Sequence, residues 1–170
     1  MKITPIGASG GEVTGSAYVV QTRDARVLVD CGLFQGSKRA EAKNRMPVRE
    51  ARLDAVVITH GHLDHTGRLP VLAKLGYRGP VFATEATQEM TSLVLRDSAK
   101  IQKQDTAWQN KKRIRAGEPP LEPLYGAPDV QVVLRLFQTA PYQEPVPIAP
   151  GDRIVADFGE LGSVRVPFVD

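Results

Sequence analysis

The apolar positions of the chain fall into short β-branched runs that alternate with stretches of helical periodicity, the pattern of a layered α/β fold. Strands are predicted over Lys2 to Ile6, Ala17 to Thr22 and Arg26 to Asp30, with a tight polar turn around Asp24 joining the last two as a hairpin. A short helix is predicted over Lys38 to Asn44. Leu53 to Thr59 holds the nearly continuous apolar run Ala55-Val56-Val57-Ile58, as expected of a central strand covered on both faces. The helix after it should begin near Thr66 or Gly67 and run through Leu72 to Leu75. Pro70 fits in its first turn, and Gly76 supplies the left-handed cap.

Val81 to Thr84 reads as a further strand, and from Glu85 a long helix carries Met90, Leu93, Val94 and Ile101 at helical spacing. Its polar positions outnumber its apolar ones, so it should lie on the outside. Gly117 to Pro128 is a Pro- and Gly-rich loop, Asp129 to Leu136 a second helix and Pro141 to Gly151 another loop. Arg153 to Phe158 and Val164 to Val169 alternate like a hairpin around Gly159 to Gly162. The last run reaches Asp170 without a polar tail, so a longer parent protein is expected.

A length of 170 residues suits one domain, and 42% apolar with 24% charged residues excludes general disorder. No apolar run approaches the roughly 18 residues of a membrane span, and no signal-peptide pattern opens the chain; a cytoplasmic address is the default expectation. Cys31 is the sole cysteine, which excludes an internal disulfide and a thiolate-rich zinc site, so any metal must sit on histidine and carboxylate. Cys31 itself reads as a small buried residue. The net charge of +3 decides little, but Lys100, Lys103, Lys111, Lys112, Arg113 and Arg115 crowd a stretch with one acid, Asp105. Such a surface attracts phosphates, and Lys111, Lys112 and Arg113 are the candidate nucleic-acid contacts; a merely solvated helix face is the alternative.

The three histidines of the chain, His60, His62 and His65, stand in the window Thr59-His60-Gly61-His62-Leu63-Asp64-His65, directly after the predicted central strand. Sites in open α/β sheets form at the carboxyl ends of strands. Residues two apart in an extended segment point the same way, so His60 and His62 can converge on one metal ion. Asp64 and His65, at the start of the next helix, then point toward a second position. Histidine and carboxylate are ordinary zinc ligands, and two ions about 3.5 to 4 Å apart can share a bridging hydroxide.

This window resembles the His-x-His-x-Asp-His signature of the metallo-β-lactamase superfamily. Gly10 to Ser16, Leu28-Val29-Asp30-Cys31-Gly32-Leu33-Phe34-Gln35-Gly36, His65-Thr66-Gly67-Arg68-Leu69-Pro70 and Pro123-Leu124-Tyr125 extend the likeness to the RNA-processing beta-CASP branch, which includes the endonuclease of mRNA 3′-end cleavage. The resemblance implies an αββα sandwich, of which residues 1–170 would form roughly the N-terminal half, the rest of the hydrolase domain and the beta-CASP insertion lying beyond. It implies two zinc ions, the first on His60 and His62, the second on Asp64 and His65, with Asp64 also the candidate catalytic residue. Asp30 would orient the ligands by hydrogen bonds. It implies RNA phosphodiester cleavage by metal-bound hydroxide, with the isolated chain inactive for want of the remaining ligands. Arg68 could meet the scissile phosphate or merely cover its helix. Two rival readings are a thioester or lactone hydrolase with the same site and a non-catalytic nucleic-acid-binding subunit. A homodimer is an open option, and no membrane partner is expected.

Overall fold

A computed structural model describes residues 1–8, 13–45, 53–143 and 146, and the backbone of Arg153–Asp157 and Ser163–Pro167. Six strands lie side by side in chain order: β1 (Lys2–Gly7), β2 (Ala17–Gln21), β3 (Arg26–Val29), β4 (Ala55–Val57), β5 (Val81–Ala83) and β6 (Phe137–Thr139). The first three are antiparallel neighbours, whereas β3 to β6 pair in parallel, with Leu28 opposite Val56, Val57 opposite Phe82 and Phe82 opposite Gln138. The sheet is therefore mixed, its parallel part being the one that needs crossover connections. Ala55, Val56 and Val57 are all buried, which agrees with the unbroken apolar run.

Helix α1 (Lys38–Ala42) is capped by Ser37, whose hydroxyl accepts from the Ala40 N–H, and a single 3₁₀ turn carries it through Arg45. Helix α2 (Leu63–Thr66) begins inside the histidine window, three residues before the predicted start; the chain breaks at Gly67 and Arg68 and resumes as α3 (Leu69–Lys74), with Pro70 in its first turn. Gly76, at φ +102°, closes α3 as expected, with the Tyr77 N–H reaching the Leu72 carbonyl at 3.1 Å. Helix α4 (Glu85–Arg115) is 31 residues long, about 46 Å. Helix α5 (Ala127–Leu134) packs against both α3 and α4, so these crossovers form one helical layer.

Three expectations are corrected. The buried residues of α4 are Thr91, Leu95, Ser98 and Ala99, whereas Met90, Leu93 and Ile101 are about half or more exposed. The face that packs is made mostly of small side chains, and the Ser98 hydroxyl meets that of the buried Tyr125 at 2.8 Å. Helix α5 starts and ends two residues earlier than predicted, and the chain after it forms β6, where no strand was expected. The final hairpin is present as β7 (Arg153–Asp157) paired antiparallel with β8 (Ser163–Pro167), Val155 opposite Arg165. Gly10 to Glu12, most of the Pro141 to Gly151 loop, the turn at Gly159 to Gly162 and residues 168–170 lie outside the described residues.

Candidate metal centre

The end of β4 and the entry to α2 bring His60, His62, Asp64 and His65 together. His60 Nε2 stands 3.1 Å from His62 Nδ1, with the rings edge to face, and the His60 and His65 ring centres are 4.0 Å apart. His65 Nε2 lies 3.7 Å from Asp64 Oδ2. His60 thus neighbours both His62 and His65, and His65 neighbours Asp64; among the described residues no group of three or more His, Cys, Asp or Glu is arranged to hold a metal ion.

Asp30 sits beneath the cluster. Parallel pairing of β3 with β4 carries the Asp30 N–H to the Val57 carbonyl at 2.9 Å, and the residue then turns into the left-handed region at φ +59°, a conformation that aspartate tolerates better than most. Its buried carboxylate accepts from the Thr59 N–H (2.9 Å), from the Thr59 hydroxyl (2.9 and 3.0 Å) and from His65 Nδ1 (2.7 Å). Because the Thr59 hydroxyl gives its single proton to the carboxylate, it can only accept from His60 Nδ1, 3.0 Å away. Both Nδ1 atoms therefore carry hydrogen, so that in a neutral ring the lone pair of His60 or His65 is on Nε2. Thr59 is the residue that sequence reasoning missed; its place just before the first histidine was the available signal.

A second layer of backbone bonds fixes the entry to α2. The Ser16, Cys31 and Leu33 N–H groups donate to the carbonyls of Asp64, His65 and Leu63, at 2.9, 2.7 and 3.0 Å. At Gly32 a Cβ atom would stand 1.6 Å from the Asp64 carbonyl oxygen, so this strap passes only because the position has no side chain. Asn44 clamps the far end, its amide group bonding the N–H and carbonyl of Phe34, both at 2.8 Å.

Burial, followed by the charges of His65 and His62, holds the His60 pKa below its ordinary 6.5, which favours the neutral imidazole a metal requires. The Cys31 thiol is fully buried and its pKa is pushed up to about 12, chiefly by that burial, so it is no nucleophile. Arg68 is buried, its guanidinium 5.3 Å from the centre of the Phe34 ring.

The structure does not bring the candidate nucleic-acid contacts to this cluster. Lys111, Lys112 and Arg113 occupy the last turns of α4, about 30 Å along the helix from Met90. Met90 is the α4 residue against the histidine loop: its Cγ would lie 2.5 Å from a Cβ built on Gly61. Lys112 Nζ lies 3.8 Å from the centre of the Trp108 ring. Arg113 pairs with Glu118 at 2.8 Å and donates to the Pro119 carbonyl at 2.8 Å, tying down the loop after α4.

The sequence profile of the metallo-beta-lactamase superfamily matches residues 10–166. A Thermus thermophilus protein named ribonuclease is 41% identical over 146 residues, covering 85% of this chain and 29% of its own length. A transcription termination factor FttA from Cenarchaeum symbiosum is 37% identical over 174 residues, covering 99% of this chain and 25% of its own. The chain thus spans less than a third of the length of these relatives. Among solved structures, the metallo-beta-lactamase fold protein YhfI of Bacillus subtilis aligns with a TM-score of 0.44 at 19% identity, over 96% of this chain and 55% of that one.

Proposed function

The chain belongs to the metallo-β-lactamase superfamily, and from that premise we propose that it forms the N-terminal part of a zinc-dependent hydrolase domain that cleaves RNA phosphodiester bonds, in the beta-CASP branch. Relatives named ribonuclease and transcription termination factor support RNA as the substrate class. An RNA substrate agrees with the cytoplasmic address expected from the sequence; no helix among the described residues is long and apolar enough to cross a membrane.

One observation carries the metal reading. Two nitrogens each 2.0–2.1 Å from one tetrahedral ion stand roughly 3.3 Å apart, and His60 Nε2 and His62 Nδ1 stand at 3.1 Å. The hydrogen on His60 Nδ1 leaves its Nε2 with a lone pair aimed at that spot, where a proton or a cation must separate the two nitrogens. The donor set of imidazole and carboxylate fits zinc. His60 and His62 would hold one ion, and Asp64 with His65 a second.

Zinc held there would supply Lewis-acid polarisation of a phosphoryl oxygen and lower the pKa of an attacking water. The chain's own residues would do the positioning. Asp30 fixes the tautomer of His65 directly and that of His60 through Thr59. Asp64, only partly exposed, would be ligand and catalytic carboxylate together. Residues 1–170 give each ion two ligands in this proposal, so the chain alone should turn over RNA poorly.

Calorimetric titration of the chain with zinc tests it. Uptake should be weak, and the His60→Ala/His62→Ala variant should lose the first ion. Uptake unchanged in that variant would overturn the assignment, and two tightly bound ions with robust RNA cleavage would overturn the reading that this chain gives each ion only two ligands.

A further inference from the structure

The candidate ligands do not share their supports equally. Asp30 holds His65 directly and His60 through Thr59, whereas among the described residues the His62 ring has His60 as its one hydrogen-bond partner. His62 is also exposed, so its direction follows from its backbone. On the C-terminal side that backbone is fixed: the His62 carbonyl accepts from the His65 and Thr66 N–H groups, both at 3.0 Å, and from the Thr66 hydroxyl at 2.9 Å as α2 begins. On the N-terminal side stands Gly61, which is buried. Gly61 is not among the residues with positive φ, so backbone conformation does not call for glycine there. Space does. A Cβ built on Gly61 would lie 2.5 Å from Met90 Cγ, 2.7 Å from Met90 Cβ and 3.4 Å from the Thr91 nitrogen.

We propose that Met90 is a positioning residue for the metal centre: its Cβ and Cγ brace Gly61 and thereby set the 3.1 Å separation of His60 Nε2 and His62 Nδ1. The proposal rests on the metal reading above and adds the element that orients His62. Met90 Cβ cannot swing aside, because it is bonded to the backbone of α4. The first turns of that helix are tied to the carboxyl ends of β5 and β6. The Thr84 hydroxyl accepts from the Thr87 N–H at 3.4 Å, and the Gln88 amide donates to the Ala83 carbonyl at 3.0 Å and to the Thr139 hydroxyl at 3.1 Å. Thr91 and Leu95 are fully buried, which seats the helix, whereas Met90 is 51% exposed and stands outside the buried core. Two ligands spaced by two residues are thus held from two elements, His60 from β3 through Asp30 and Thr59, and His62 from α4 through Gly61. Without the brace His62 samples more positions, and ordering them again opposes ion binding.

Titration of the chain with Co(II), followed by its visible absorption well below the melting transition, reads both affinity and ligand geometry. Met90→Ala keeps a good helix former at a half-exposed position, so the chain should stay folded. It should nevertheless bind Co(II) about tenfold more weakly, with altered band intensities. Met90→Leu, which keeps a carbon at both bracing positions, should restore affinity and spectrum. Gly61→Ala should weaken binding as well. Combining it with Met90→Gly, which removes both colliding carbons, should recover part of that loss, whereas two unrelated defects would add. Equal affinity and spectrum in the parent chain, Met90→Ala and Gly61→Ala, with uptake still reduced in His60→Ala/His62→Ala, would overturn the brace and leave the metal reading intact. A Met90→Leu variant as impaired as Met90→Ala, or a double variant no better than Gly61→Ala alone, would also overturn the brace. Absence of any uptake by the parent chain would overturn both readings.

Discussion

The histidine cluster and the basic end of α4 are each drawn from one short stretch of sequence, yet they are built in opposite ways. His65 is held directly, and His60 through Thr59, by a buried carboxylate thirty-five and thirty residues away, and their neighbours are fixed by backbone bonds from the 31–33 strap. Lys112 and Arg113 have their described partners close by in sequence, at Trp108, Glu118 and Pro119. The cluster depends on the register of the sheet; the basic end depends on helix geometry and the loop that follows. Preorganisation matters where charge develops over a few ångströms, whereas a diffuse phosphate backbone needs only positive charge in reach.

The comparison breaks most sharply at Asp30. Replacing it by Ala removes the partner of Thr59 and His65 in a buried setting and places a β-carbon without a compensating side chain at φ +59°. The expected cost is about 3 kcal/mol in denaturant unfolding. Asp30→Asn keeps the backbone preference and the shape but loses the charge, so it should fold with a smaller penalty while binding zinc about 10- to 100-fold more weakly. Equal zinc affinity in the Asn variant would mean that the cluster is not oriented through Asp30.

Sequence reasoning reached different depths in these regions. The strand before the histidines is legible because it is covered on both faces, and an unbroken apolar run follows directly from that burial. Asp30 is named only through resemblance, since its partners are set by which residue of β3 lies beside Val57 and Thr59, and no local pattern carries that register. The packed face of α4 is illegible for another reason. Thr91, Ser98 and Ala99, which flank Leu95 on that face, are small or polar, because α5 and Tyr125 come close, so the larger apolar residues on other lines of the helix mislead. Strand β6 is Phe137-Gln138-Thr139, too short for any alternation to show, and exists because β5 offers it a parallel edge.

A smaller effect concerns pH. His60 has its pKa held below 6.5 in the folded chain, while the unfolded chain takes up a proton at the ordinary value. Over the window between the two, the unfolded state binds more protons, so stability rises with pH there and is lost as pH falls below about 6.5. Tm measured from pH 7.5 down to pH 5 should therefore decline more steeply for the parent chain than for His60→Gln. Parallel curves would show that the crowded imidazoles do not oppose protonation.

The smallest effect on stability, and the one that sharpens the contrast, belongs to Lys111→Ala/Lys112→Ala. Both side chains are exposed at the end of a helix, and the substitution removes the Lys112 ammonium from the face of Trp108, an interaction worth about 0.5–1 kcal/mol at exposed sites. Alanine recovers part of this through its helix propensity. Lys112, in the last turn, also favours the helix C-terminus through the macrodipole, a contribution that salt reduces. The variant should thus melt within a few degrees of the parent, and its zinc uptake should be unchanged because the cluster lies about 30 Å away along α4. RNA binding should respond differently: each phosphate of a single strand that is no longer neutralised flattens the dependence of log K on log salt by about 0.7, so the double variant should lower the slope by about 1.4. A slope that does not move while Tm falls would make these lysines structural, and the basic end of α4 would be a solvated face.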